Sequence, residues 1–250
     1  MLKKLLESCL ILMSVSACLV DARAQDRQAF LAGKTNDCPN CDLSGVSLKR
    51  RNLNGANLSG ANLEDASFHN ANLRGANLSG ANLQFANFNR ADLTTAVLTD
   101  ANLSSAMFFA AVMAAASLSR AKLEGALMGK AILTRANLEN ADLVKVDLGG
   151  ARLTEAKFGG ARLDHADMRN ALLQRADMTG VSANAVYFSE VSMRGAIMKG
   201  AQLRGANFVK ADMADVDLTG ADLTGANLTN ANLTNANITD ARIPGNTALP

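Results

Sequence analysis

The apolar residues of this chain recur every fifth position. From Leu43 to Ile243 there are 41 positions spaced by five, and each is Leu, Phe, Met or Ile except Ala183. Two places before each, from position 46 to 241, stand 33 Ala, six Val and one Arg, with no insertion or deletion. Asn, Asp or Ser usually stands between the two apolar positions, and two small or polar residues follow, as in Ala56-Asn57-Leu58-Ser59-Gly60. A helix turns about 100° per residue, so a spacing of five would scatter these Leu residues around the whole cylinder. A continuous strand alternates faces with period two, so an odd spacing would send successive Leu to opposite sides. The pattern predicts a short extended side in each unit, with Ala56 and Leu58 pointing in and Asn57 out. Ser59 and Gly60 then bend the chain, because small, polar and glycine residues accept turn dihedrals.

The aromatics predict how many sides close one coil. Phe residues occupy positions 68, 88, 108, 158, 188 and 208 of the five-spaced series, and five of the six are separated by multiples of twenty. Side chains of equal rank in successive coils stack in a column, so twenty residues make one coil of four sides. Coils rise about 4.7–4.9 Å each when neighbouring backbones hydrogen-bond like strands, and about ten of them give a rod on the order of 48 Å long. A fixed self-similar period of this kind is the signature of a solenoid. The narrow interior has room only for Ala or Val beside each Leu, whose burial contributes about 1.5–3 kcal/mol.

The motif A(N/D)L followed by two variable residues, repeated over about four fifths of the chain, resembles the pentapeptide-repeat family, in an exported bacterial member. That resemblance implies an all-β solenoid, a right-handed quadrilateral β-helix. On this reading residues 1–24 form a signal peptide, 25–40 an N-terminal cap segment, 41–243 the repeat β-helix and 244–250 a C-terminal tail. Arg51 stands where Ala or Val is the rule, so the first side or two are expected to form loosely under the cap. Ala183 lacks the usual Leu bulk, while Val181, Val186 and Val191 nearby exceed the usual Ala; volume compensation between neighbours is expected. Family members dimerise through their C-terminal ends, which leaves a homodimer open for this chain.

The N-terminus carries Lys3 and Lys4, an apolar stretch around Cys9 to Val20, and Ala22-Arg23-Ala24 before Gln25. This is the layout of a secretory signal peptide cleaved after Ala24. Val15-Ser16-Ala17-Cys18 is similar to a bacterial lipoprotein box, with Cys18 as the alternative, lipidated N-terminus. Either cut predicts an extracytoplasmic protein, periplasmic or secreted, or lipid-anchored at Cys18. Of 25 Lys and Arg and 23 Asp and Glu, three basic and two acidic residues fall in the first 24, leaving 22 and 21. A near-neutral rod lacks the dense Lys/Arg stripe of a nucleic-acid binder. It also lacks the acidity of the DNA-mimicking topoisomerase modulators in the same family, which stay an alternative reading.

Chemistry-bearing clusters are scarce. Cys38-Pro39-Asn40-Cys41 extrapolates onto inward positions of the first coil, which points to a structural disulfide or two buried thiols; no strand–helix–strand setting supports a redox motif. His69 and His165 lie about five coils apart, so no zinc site is expected. No nucleophile, base and orienting group fall together. The reading is a non-enzymatic scaffold without cofactor or metal, with a polysaccharide-acting β-helix enzyme as the remaining alternative. Its partner is expected to be a protein or an envelope polymer. The outward second rank turns apolar at Val97, Met107, Val112, Leu127, Ile132, Leu172, Tyr187 and Ile197, with Phe109 nearby. These residues form the candidate interaction patch, with Arg152, Lys157 and Arg162 as a basic rim.

Overall fold

The protein is described by a computed structural model over residues 24–244. The candidate signal peptide, except Ala24, and the candidate lipidation residue Cys18 lie outside the described residues, as does the tail from Gly245. Among the described residues a single helix, α1, spans 24–31, and every wall beyond it is built from the five-residue unit. Each wall meets its neighbours above and below through isolated parallel bridges between residues twenty apart, rather than through strands of several residues. Four columns of bridges result. Wall I carries Asp42, Asn62 and Asn82; wall II Ser47, Ser67 and Asn87; wall III Asn52, Asn72 and Asp92; wall IV Asn57, Asn77 and Val97.

One unit shows why five residues suffice. Leu58 N–H donates to the carbonyl of Asn77 in the next coil at 2.8 Å, and Asn77 N–H donates back to the carbonyl of Ala56 at 2.8 Å. Gly60 N–H reaches Ser79 O at 2.9 Å, and Ala61 N–H closes the bend on Leu58 O at 3.2 Å. The fourth-position donor, Ser59 N–H, is taken by the side-chain Oδ1 of Asn57 at 3.2 Å. All five backbone donors therefore have acceptors, which a buried or half-buried backbone requires. The fifth residue sits at a φ near +60° throughout, as at Gly60 (63°) and Asp65 (56°), the sign a type II bend demands at its second corner residue.

The interior is dry. The third-position residues from Leu43 to Leu223 are buried, together with the Ala and Val beside them from Ala56 to Ala226. Phe68 stacks on Phe88 with centroids 4.6 Å apart and Phe88 on Phe108 at 4.9 Å, so equal ranks in successive coils share one wall. Phe188 and Phe208 repeat the arrangement at 5.0 Å.

The N-terminal end corrects the expectation of a loose start. Cys38 N–H already donates to Asn57 O at 2.9 Å, and Leu43 and Leu48 donate to Asn62 and Ser67 at 2.7 Å, so the first coil is as regular as the rest. Arg51 is accommodated because its guanidinium leaves the core axis and meets the cap. It donates to the carbonyls of Phe30 and Thr35 and lies 4.1 Å from the centroid of the Phe30 ring. Phe30, on α1, is fully buried over the first coil. Cys38 and Cys41 are buried and joined by a disulfide, with Cα atoms 5.4 Å apart.

Candidate interaction surface

The apolar outward residues divide among the walls. Met107 and Leu127 pair directly on wall II, and Val112 and Ile132 pair on wall III. Phe109 lies on the corner between these two walls, so the five form one patch that wraps the corner. Leu127 is 51% and Phe109 45% exposed. Tyr187 shares wall II but is separated from Leu127 by Asp147 and Asp167; Leu172 shares wall III but is separated from Ile132 by Arg152. Val97 and Ile197 lie on wall IV, five bridge steps apart, away from the patch. The basic residues Arg152, Lys157 and Arg162 stand on walls III, IV and I in turn, so they encircle the rod rather than rim the patch.

An open groove of about 610 Å³ follows the corner beside the patch. Met107, Leu127 and the Phe109 ring form its apolar side, and Asp147, Asp167 and Arg169 its polar end. Asp167 holds one edge of the Arg169 guanidinium with both carboxylate oxygens, Arg169 Nε to Asp167 Oδ1 at 2.9 Å and Nη2 to Oδ2 at 2.5 Å. The hydrogen bonds that Arg169 donates to Asp167 lower the carboxyl pKa and raise that of the guanidinium. Asp147 Oδ1 accepts from Gly149 N–H at 2.9 Å. Lys130 Nζ stands 5.8 Å from the Phe109 centroid, within range of a cation–π contact.

Elsewhere the outward charges pair along columns. Arg120 meets Asp100 at 2.7 Å, Arg162 meets Asp142 at 3.1 Å and Arg175 meets Glu155 at 2.7 Å, each between residues twenty apart. The acidic residues at the C-terminal end are likewise engaged: Asp222 binds Arg204 at 2.8 Å, and Asp217 binds Lys199 at 3.2 Å. Among the described residues no group of three His, Cys, Asp or Glu converges as metal ligands would. No helix there is long and apolar enough to cross a membrane.

Sequence reasoning missed the role of the second-position Asn and Asp. Beyond facing out, they cap the next bend: Ser79, Thr94 and Thr179 each give both N–H and hydroxyl to the Oδ1 two residues earlier. The signal was present, because Asn or Asp followed two places on by Ser or Thr is the composition of an Asx turn.

A family profile described as Pentapeptide repeats matches in eight copies, over residues 41–80, 76–113, 116–154, 131–170, 151–186, 171–209 and 211–245. The chain belongs to the pentapeptide-repeat family. A right-handed quadrilateral β-helix is the architecture that this membership implies. A search of curated proteins finds no match. Among solved structures, this pentapeptide-repeat protein is similar to HetL of the cyanobacterium Nostoc, a protein involved in heterocyst differentiation regulation. The two are 28% identical over 89% of this chain and 97% of that one, with a TM-score of 0.48. Full-length QnrB1, a plasmid-mediated fluoroquinolone resistance protein, is 20% identical over 80% of this chain and 92% of its own, with a TM-score of 0.29. A pentapeptide repeat protein of the Arabidopsis thaliana thylakoid lumen is 27% identical over 43% of this chain and 72% of its own, with a TM-score of 0.33.

Proposed function

We propose that this pentapeptide-repeat protein is a non-enzymatic scaffold of the bacterial cell envelope, exported by its first 24 residues and binding a protein or surface polymer through its outward walls. The observation that carries the reading is the apolar patch at the corner of walls II and III, on a rod whose outward second rank is otherwise mostly polar. Solenoids present side chains from a rigid ladder, and extended surfaces of this kind serve binding. An exposed apolar cluster bordered by charge is the composition of a partner surface. The alternative of a DNA mimic draws no support from the charge pattern, because outward cations and anions alternate and pair along the columns.

Two measurements test the reading. Intact mass of the envelope fraction is expected to begin at Gln25, or at a lipidated Cys18; an uncleaved chain in the cytoplasm would overturn export. Met107→Asp combined with Leu127→Asp is expected to change association state or captured partners, read together, while the circular dichroism spectrum is kept. Unchanged association state and capture in the folded double variant would remove the patch from the reading.

A further inference from the structure

We infer that wall II is a self-association surface, on which a second copy of this chain packs face to face and antiparallel, about a twofold axis lying between the coils of Met107 and Leu127. The inference deepens the reading of the outward walls as a binding surface, and it commits that surface to one partner.

Two features of the wall point to an occupant of complementary shape. Glycine occurs at the fourth position of a unit only at Gly129, Gly149 and Gly159. Gly129 and Gly149 follow one another on the corner of wall II. The bend places its positive φ at the fifth residue, and neither glycine has one, so the backbone does not ask for glycine there. What these two residues do is leave the corner bare. A Cβ added at Gly129 would stand 3.7 Å from the Phe109 ring and 3.8 Å from Asp147 Oδ2, within the groove. Beside this hollow protrude Phe109 and, on the opposite corner of the same wall, Phe85, 48% exposed.

The order of charges along the wall then selects one pairing. Outward second positions read Asn87, Met107, Leu127, Asp147 and Asp167. Two parallel rods in register would set Asp147 on Asp147, and like charges face to face oppose association. Reversing one rod about an axis between Met107 and Leu127 sets each of these apolar side chains on the other. The same operation brings Phe109 onto the bare corner at Gly129, Asp147 opposite Asn87, Asp167 opposite Ser67, and Phe85 opposite Lys145, a cation–aromatic pair. Asp65 comes opposite His165. An acidic pair, Glu64 and Asp164, also comes level, but Asp164 is turned toward wall I, where it accepts from Ser182 at 2.8 Å and from Asn184 at 2.8 Å. A twofold contact of this kind is isologous and closes on itself, so it gives a dimer and no fibre.

The test is sedimentation equilibrium of the purified protein from low to high micromolar concentration. A dimer is expected, weakened by about tenfold or more in Leu127→Asp, as for a central apolar contact, and weakened also in Gly129→Gln, which fills the hollow. Both positions face solvent in the monomer, so the variants are expected to keep the wild-type circular dichroism spectrum. Register is read separately by oxidative cross-linking. A mixture of Asn87→Cys and Asp147→Cys proteins is expected to form the mixed disulfide, while Asp147→Cys alone does not. A monomer at every concentration overturns the inference, as does a dimer that Leu127→Asp leaves intact, the mark of end-to-end contact. A cross-linked Asp147→Cys homodimer overturns the antiparallel register. None of these results bears on the mass of the exported chain, so failure here and failure of export are told apart.

Discussion

At the scale of the residue, each position of the quintet answers a separate physical demand. The second residue supplies an acceptor that the fourth N–H needs, which is why Asn and Asp prevail there. Where Met107 replaces them, Phe109 N–H is served from the coil before, by Asn89 Oδ1 at 2.7 Å. At Met107 the apolar outward residue thus leaves no orphaned donor behind it, because Asn89 in the neighbouring coil offers a spare amide oxygen. The third residue answers to volume alone. Ala183 is fully buried, and Val181, Val186 and Val191 around it are buried too. Volume compensation by their added methyls predicts that Ala183→Leu overpacks the coil. A loss of about 1–3 kcal/mol is the usual size of that effect, read as a lower midpoint in urea; a raised midpoint would show that a void is present instead.

At the scale of the element, the capped end shows how a misfit side chain becomes a fastening. Arg51 carries the one charge at an inward position of the lattice, and burial lowers its pKa from the ordinary guanidinium value. A half-buried cation without partners is costly, and here α1 and the turn after it provide two carbonyls and an aromatic ring. Arg51→Ala is expected to release α1 while leaving the walls standing: hydrogen exchange should rise at Ala32 and Lys34, whose amides donate to Gln28 and Ala29, and stay unchanged at Leu78 and Leu98. Equal exchange in both proteins would mean that Phe30 alone holds the cap. The walls, the inward ranks and the column of Phe were legible in the sequence, because a strict period averages over forty units and leaves one geometry. The cap was not, because residues 25–40 have no period and the partners of Arg51 lie 16 and 21 positions earlier. For the same reason the apolar outward residues could be ranked from sequence, whereas the bare glycine corner and the encircling path of Arg152, Lys157 and Arg162 emerge only when four walls are laid around one axis.

At the scale of the whole molecule, stability is a sum over neighbouring coils, so a solenoid yields first where a coil has a neighbour on one side only. The two ends differ. The first coil is closed by α1, Phe30 and the disulfide, whereas in the last described coil Leu228, Ile238 and Ala241 are only partly buried. Asp222 ties that end together: it accepts from the Thr224 hydroxyl at 2.6 Å and its N–H at 3.0 Å and meets Arg204 at 2.8 Å and Arg242 at 3.7 Å. The Thr224 hydroxyl, then its N–H, then Arg204 bring the carboxyl pKa down to about 2. Asp217, held first by Thr219, is lowered as well. A carboxylate whose pKa is lower folded than unfolded favours the folded state at every pH above the unfolded value of about 3.9, and that contribution is lost as pH falls from there toward 2. Asp42 in the first coil is lowered too, by hydrogen bonds from Ser44, but that coil is also held by the disulfide and by Phe30, so acid is expected to loosen the C-terminal coils before the N-terminal ones. Hydrogen exchange corrected for its intrinsic pH dependence should rise between pH 5 and pH 3, values that bracket the unfolded Asp pKa of about 3.9, at Leu203 and Leu223, whose amides donate to Asp222 and Arg242, while Leu43 and Leu48 stay protected. Asp222→Asn should show raised exchange at those two sites already at neutral pH and a flatter dependence on acid, since the group that titrates is gone. Uniform acid loss along the rod, or the same acid slope in the variant, would assign the sensitivity to carboxylates elsewhere on the walls.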